Sequence, residues 1–186
     1  SSPTATSKQD LAAIVEQELA MQRLAVDDEL TGLRNRRGFD LFGAQVLAMC
    51  RRQHRGAVVL FAAVNGLKAV NDTSGHTAGD ALLQRVAATL RESLRDADVV
   101  ARLGGDEFAA VLSGSDDPTT VVDRLWQAVE GRNLRRADTE SPISLALGAA
   151  VFDPDRPEPL DALVARADTA MYEMKWADRS GLDEVV

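Results

Sequence analysis

Residues 57–64 read Ala-Val-Val-Leu-Phe-Ala-Ala-Val, eight apolar residues without a polar break. A run of that length is a strand, and one without alternation needs cover on both faces. It therefore predicts a buried central strand between two layers. Two more short apolar runs, Val99 to Leu103 and Phe108 to Leu112, flank Gly104-Gly105-Asp106-Glu107. Adjacent glycines supply the positive-φ positions of a tight turn, so this pair reads as a β-hairpin. Ile143, Leu145, Leu147, Ala149 and Val151 alternate at period two and give another strand. Asp183 to Val186 reads as a final edge strand.

Helical spacing fills the intervals. Phe39, Phe42, Val46 and Met49 mark a helix before the first strand, and Leu83, Val86, Leu90 and Leu94 mark one from Gly79 to Arg95. Asp117-Pro118 is an N-cap followed by an N1 proline, opening a helix through Leu125 and Val129. Leu160, Leu163, Val164, Ala167, Met171 and Met174 define a last long helix. Residues 65–78 are too polar for a core element and read as a loop. There are too few strands for a doubly wound sheet, and an antiparallel pair lies inside. The predicted class is α+β, a mostly antiparallel central sheet flanked by helices.

Ahead of these elements, residues 1–9 are Ser/Thr-rich and read as a disordered lead or an artificial appendage. Leu11, Ile14, Val15, Leu19, Met21 and Leu24 make an amphipathic helix over 10–28. Such a helix either packs on its own domain or ends a linker from an upstream sensory domain. The missing initial Met favours the linker and leaves 29–186 as the main domain. A total of 186 residues suits one domain. One cysteine, Cys50, and two histidines exclude an internal disulfide and a Cys/His zinc cluster. A net charge of −8 argues against nucleic-acid polymers and anionic membranes as partners, and no apolar run is long enough to span a bilayer. Among the 21 basic residues only Lys8, Lys68 and Lys175 are lysine. The rest are arginine, suited to forked contacts with phosphate or carboxylate.

Three polar stretches interrupt this core-like pattern: 65–80, 104–107 and 168–179. Asp106 and Glu107 on a hairpin tip are either ordinary turn residues or a platform for a divalent cation. Asn71 to Asp80 is long and polar between a strand and a helix, where structured loops carry function. It lacks the Gly-Lys-Ser/Thr ending of a P-loop and the oxygen spacing of an EF-hand.

Asp28-Glu29-Leu30-Thr31-Gly32-Leu33 with Asn35-Arg36-Arg37 resembles the opening motif of the GGDEF domain family, the diguanylate cyclases. Gly104-Gly105-Asp106-Glu107-Phe108, preceded by Arg102, is that family's signature. Lys68 to Asp72 and Gly75-His76 to Gly79-Asp80 resemble its "K-x-x-N-D…G-H-x-x-G-D" block. Arg166-Ala167-Asp168, Ala170-Met171-Tyr172 and Lys175 resemble its closing helix. Together these motifs span residues 27–179.

The resemblance implies a nucleotidyl-cyclase or polymerase-palm-like fold and the condensation of two GTP molecules into cyclic di-GMP by a homodimer. The 3′-hydroxyl of one nucleotide attacks the α-phosphorus of the other, with Mg²⁺ or Mn²⁺ neutralising phosphate charge. By motif position Asp106 is a metal ligand, with the Val64 carbonyl as a further donor, and Glu107 is an acid near the attacking hydroxyl. Asn71 and Asp80 read the guanine edge. Lys175, Arg179 and the backbone amides of Gly66, Leu67 and Lys68 meet the phosphates. Arg95 and Asp98, five residues ahead of the signature, correspond to an inhibitory cyclic di-GMP site. His76 has no ligand spacing and reads as a loop-packing residue. The same likeness implies a cytoplasmic place, as the cytoplasmic portion of a larger sensor.

One position departs from the pattern. The family's first metal carboxylate belongs at the strand end, where this chain has Ala63, and the second acid position holds Asn65. Ala63 is either natural degeneration or a deliberate replacement. Loss of one bridging carboxylate removes several kcal/mol of transition-state stabilisation. Two expectations follow: a cyclase impaired by Ala63, or a degenerate module that binds GTP or cyclic di-GMP without turnover. Met171, Met174, Asp178 and Ser180 are milder departures.

Overall fold

A computed structural model describes residues 26–115 and 117–182, with side chains through Tyr172. Helix α1 (Arg36–Arg52) leads into strand β1 (Ala57–Val64), followed by α2 (Leu67–Ser74) and α3 (His76–Ser93). The hairpin β2 (Val99–Gly104) and β3 (Glu107–Ser113) comes next, then α4 (Pro118–Leu134), β4 (Leu145–Phe152) and α5 (Leu160–Leu182). The N-caps follow from sequence: Asn35 accepts from the Gly38 amide at 2.9 Å, and Asp117 accepts from the Thr119 amide at 3.0 Å.

The strands lie in the order β2-β3-β1-β4, every neighbour antiparallel. β1 is therefore interior to the sheet, as its unbroken apolar run requires. Its alternate residues face two different cores. Val58, Leu60, Ala62 and Val64 pack with Val86 and Leu90 of α3 and Leu125 of α4. Ala57, Val59 and Phe61 pack with Phe39 of α1 and Leu163 and Ala167 of α5. Each large side chain so buried contributes about 1.5–3 kcal/mol. The α+β class is as expected.

Residues 65–78 are not the loop that their polarity suggested. They form α2 and the start of α3, a helical hairpin hinged on Gly75 at φ +84°. α2 buries none of its residues fully and only leans Leu67 and Val70 on the core, so its sequence is polar because the helix is exposed. His76 is an exposed first residue of α3 rather than a packing residue, and α3 begins three positions before the expected Gly79.

The segment before α1 covers the outer edge of the sheet. Arg34 donates its amide to Val100 O at 3.1 Å and accepts from the Arg102 amide at 2.8 Å, a parallel bridge along β2. The lead over 1–9, the helix over 10–28 as far as residue 25, and the strand expected at Asp183–Val186 lie outside the described residues. Among the described residues no helix is long and apolar enough to cross a membrane.

Candidate functional site

The tip of the β2–β3 hairpin is built by backbone chemistry first. Gly104 at φ +149° and Gly105 at φ +51° adopt conformations that side chains disfavour. A register shift then pairs Gly104 with Glu107 and leaves Gly105 and Asp106 as the turn. Arg102 fixes that turn from below. Its Nε and Nη2 donate to the Gly105 carbonyl at 3.0 and 2.8 Å, while Nη1 reaches both Asp28 oxygens at 3.4 and 3.3 Å. Asp28 Oδ1 also accepts from the Thr31 amide at 2.9 Å and the Thr31 hydroxyl at 2.6 Å. Burial alone would raise the Asp28 carboxyl pKa. The Thr31 hydroxyl and amide and the Arg102 guanidinium outweigh burial and hold it below the usual carboxylate range. A residue 74 positions away thus sets the shape of the turn.

Strand register gives the neighbours of Ala63. It lies opposite Glu107 on β3 and Ala146 on β4, and directly opposed residues share one face of a sheet. A methyl group therefore stands beside Glu107 on the side of the sheet covered by α1 and α5. Arg36, at the start of α1, brings Nη2 to 3.8 Å from Glu107 Oε2; both side chains are well exposed, so the pair is weak. The Val64 amide donates to the Asp106 carbonyl at 2.9 Å and ties the turn to the end of β1. Asn65 is held toward β4 instead, its Nδ2 donating to Ser144 Oγ at 3.1 Å.

Among the described residues no group of three or more His, Cys, Asp or Glu gathers to hold a metal. Asp106 and Glu107 offer two carboxylates at the turn, and a single Mg²⁺-like cation needs only one or two. Beside them the methyl group of Ala63 offers no oxygen to a second cation.

The other expected residues fall into two groups. Gly66 caps α2 without a side chain, and the first amides of a helix, here those of Leu67 and Lys68, have no partner within it. Asn71 is half-buried and lies against Gly79, next to the exposed Asp80. Lys175 and Arg179 fall on α5 beyond the last described side chain.

Arg95 and Asp98 belong to a separate cleft of about 780 Å³, shared with Arg34, Phe42, Arg52 and Arg91. Asp98 is held in place by two backbone amides. Its Oδ2 accepts from the Arg95 amide at 2.9 Å and its Oδ1 from the Ser113 amide at 3.3 Å. A carboxylate has about four acceptor positions, so it retains capacity for donors from a ligand.

Sequence reasoning gave no role to Arg102, Arg36, Arg52 or Arg91. Arg102 and Asp28 lie in quoted motifs, but nothing in either motif announces their pairing. Arg91 lies in the last turn of α3 and Arg95 just beyond its end, so no helical spacing announced that both line one cleft.

The family profile described as "Diguanylate cyclase, GGDEF domain" matches residues 25–181. "Probable diguanylate cyclase DgcC" of Escherichia coli K12 is 31% identical over 176 residues, 94% of this chain and 47% of that protein. "Bifunctional diguanylate cyclase/cyclic di-GMP phosphodiesterase MucR" of Pseudomonas aeruginosa is 36% identical over 161 residues, 86% of this chain and 23% of that protein. The chain thus spans less than half the length of either relative. The coiled coil and GGDEF domain of DgcB from Caulobacter crescentus, solved with c-di-GMP, matches with a TM-score of 0.81 and 27% identity. That match covers 93% of this chain and 92% of the other.

Proposed function

The chain belongs to the GGDEF family of diguanylate cyclases, and from that premise we propose that it is a GTP-binding cyclase domain whose turnover Ala63 severely reduces. The register pairing of Ala63 with Glu107 supports this reading, because a methyl group stands beside the signature's acid at the position where the family pattern has its first metal carboxylate. The rest of the catalytic end supports nucleotide binding. Asn71 and Asp80 together offer the amide and carboxylate that a guanine edge needs. The α2 N-terminus turns its first amides toward phosphate, with Lys175 and Arg179 as the cationic partners from α5. Glu107 is the acid nearest the attacking 3′-hydroxyl, and Asp106 is the carboxylate for a cation brought in with the triphosphate.

Two such chains, each holding one GTP, are needed to join two nucleotides, so the active species is a homodimer. The substrate, the product cyclic di-GMP and the link to an upstream sensor suit a cytoplasmic setting.

The test is direct: the chain is incubated with GTP and Mg²⁺ or Mn²⁺, and cyclic di-GMP is followed by chromatography. The expected result is GTP binding with turnover far below the roughly 1–1,000 s⁻¹ of ordinary enzymes. Turnover within that range would overturn the impairment.

A second reading, a receptor for cyclic di-GMP without turnover, is favoured by the arginine-lined cleft around Arg95. Its Asp98 is already oriented by two backbone amides.

A further inference from the structure

Gly79 is buried in the first turn of α3, and its φ lies outside the left-handed region, so its backbone does not ask for glycine. A glycine inside a helix is a liability unless something needs the space. What needs the space is Asn71. Because α2 folds back on α3 around Gly75, the Asn71 carboxamide rests directly on the Gly79 backbone. A Cβ at position 79 would stand 1.9 Å from Asn71 Oδ1, 2.9 Å from its Cγ and 3.4 Å from its Nδ2. The first two separations are closer than real Cβ contacts come.

The order of those distances also has chemical meaning. The amide oxygen lies on the Gly79 side of the carboxamide, nearer than the nitrogen. The nitrogen is turned away and left as a donor. Asp80, the next residue, is exposed and supplies only acceptors when ionised. A donor beside a carboxylate matches an edge that presents an acceptor next to two adjacent N–H donors, as guanine does with O6, N1–H and N2–H, whereas adenine sets a single N6 donor beside the N1 acceptor.

We propose that Gly79 is a positioning residue for base selection: its missing side chain fixes the Asn71 carboxamide with its amide nitrogen outward, beside Asp80. This rests on the reading above that Asn71 and Asp80 contact the base. Replacing Gly79 by Ala displaces the carboxamide without straining the backbone, so it weakens the preference for GTP by one contact and leaves the phosphate contacts in place.

The experiment is a double-mutant cycle with the whole chain. The parent, Gly79→Ala, Asn71→Ala and the double variant are titrated calorimetrically with GTP and with ATP in Mg²⁺ buffer, and thermal unfolding checks the fold. Expected are GTP binding about tenfold weaker in each single variant, the size of one lost hydrogen bond, and ATP binding unchanged. The double variant should bind GTP no more weakly than Asn71→Ala alone. Parent-like GTP binding by Gly79→Ala, or a full additional loss in the Asn71→Ala background, would overturn the proposal. If Gly79→Ala does not fold, the comparison of Asn71→Ala with the double variant decides: equal affinity supports the contact and a further loss refutes it. A parent chain that binds no GTP overturns the nucleotide reading itself, and this proposal with it.

Discussion

Removing the Asp28 carboxylate tests whether the turn is held from outside the hairpin. Asp28 takes three donors: the Thr31 amide at 2.9 Å, the Thr31 hydroxyl at 2.6 Å and Arg102 Nη1 at 3.3 Å to its nearer oxygen. The side chains of Asp28 and Arg102 are 22% and 14% exposed, so the pair is neither a surface ion pair nor a dry one. Hydrogen bonds to a charged group are worth about 1.5–3 kcal/mol net, and the Thr31 donors regain water when Asp28 is cut back. Arg102 does not, because its other nitrogens stay on the Gly105 carbonyl and its charge loses its counterion. Asp28→Ala should therefore cost about 2 kcal/mol, or about 4–8 °C in Tm for a domain of this size.

Asp28→Asn keeps an acceptor for Thr31 and loses only the charge, costing about 1 kcal/mol. Because the folded pKa of Asp28 is depressed, its contribution is fully present above the unfolded value of about 3.9. It is lost as pH falls through the lower folded value. Urea unfolding of the parent and Asp28→Asn from pH 7 downward should thus show a gap that is constant at first and narrows in acid. A gap independent of pH while both remain folded would refute the reasoning. So would an Asp28→Ala variant within about 0.5 kcal/mol of the parent.

Two other substitutions probe the packing and the second cleft. A Cβ at Gly148 would meet Ala167 O at 2.0 Å and the Met171 amide nitrogen at 2.4 Å, so Gly148→Ala must push α5 off β4. The expected loss of at least about 1–3 kcal/mol is read by urea unfolding, and GTP affinity should fall as Lys175 and Arg179 move with the helix. Arg95→Ala should weaken cyclic di-GMP binding by about tenfold or more in calorimetry, with GTP binding unchanged, since Arg95 lines a cleft apart from the turn.

Period and turn chemistry made most of the fold legible. The run at 57–64 gave β1 residue for residue, and Gly104-Gly105 gave the hairpin, because a buried strand and a tight turn leave direct marks on sequence. α2 left a misleading one: a helix that buries nothing fully carries no apolar stripe, so Asn71 to Ser74 looked like loop. Motif spacing marked Asp106, Glu107, Arg95 and Asp98 as candidates, and the fold puts the first two at the hairpin tip and the last two in one cleft. The Arg102–Asp28 clamp and the seat of Asn71 on Gly79 were not so marked. Both join residues that only the tertiary fold brings together, and neither pairing alters local composition. Ala63 was visible as a departure, but its neighbour Glu107 emerges only from the strand register.

Cyclic di-GMP formation by the parent and by Ala63→Asp, side by side with GTP and Mg²⁺, tests the central claim most directly. Restoring a carboxylate beside Glu107 should raise the rate by two orders of magnitude or more, on the several-kcal/mol scale of one metal ligand, with GTP affinity little changed. Equal rates in the two chains, whether both fast or both absent, would contradict the account that Ala63 is what limits this domain.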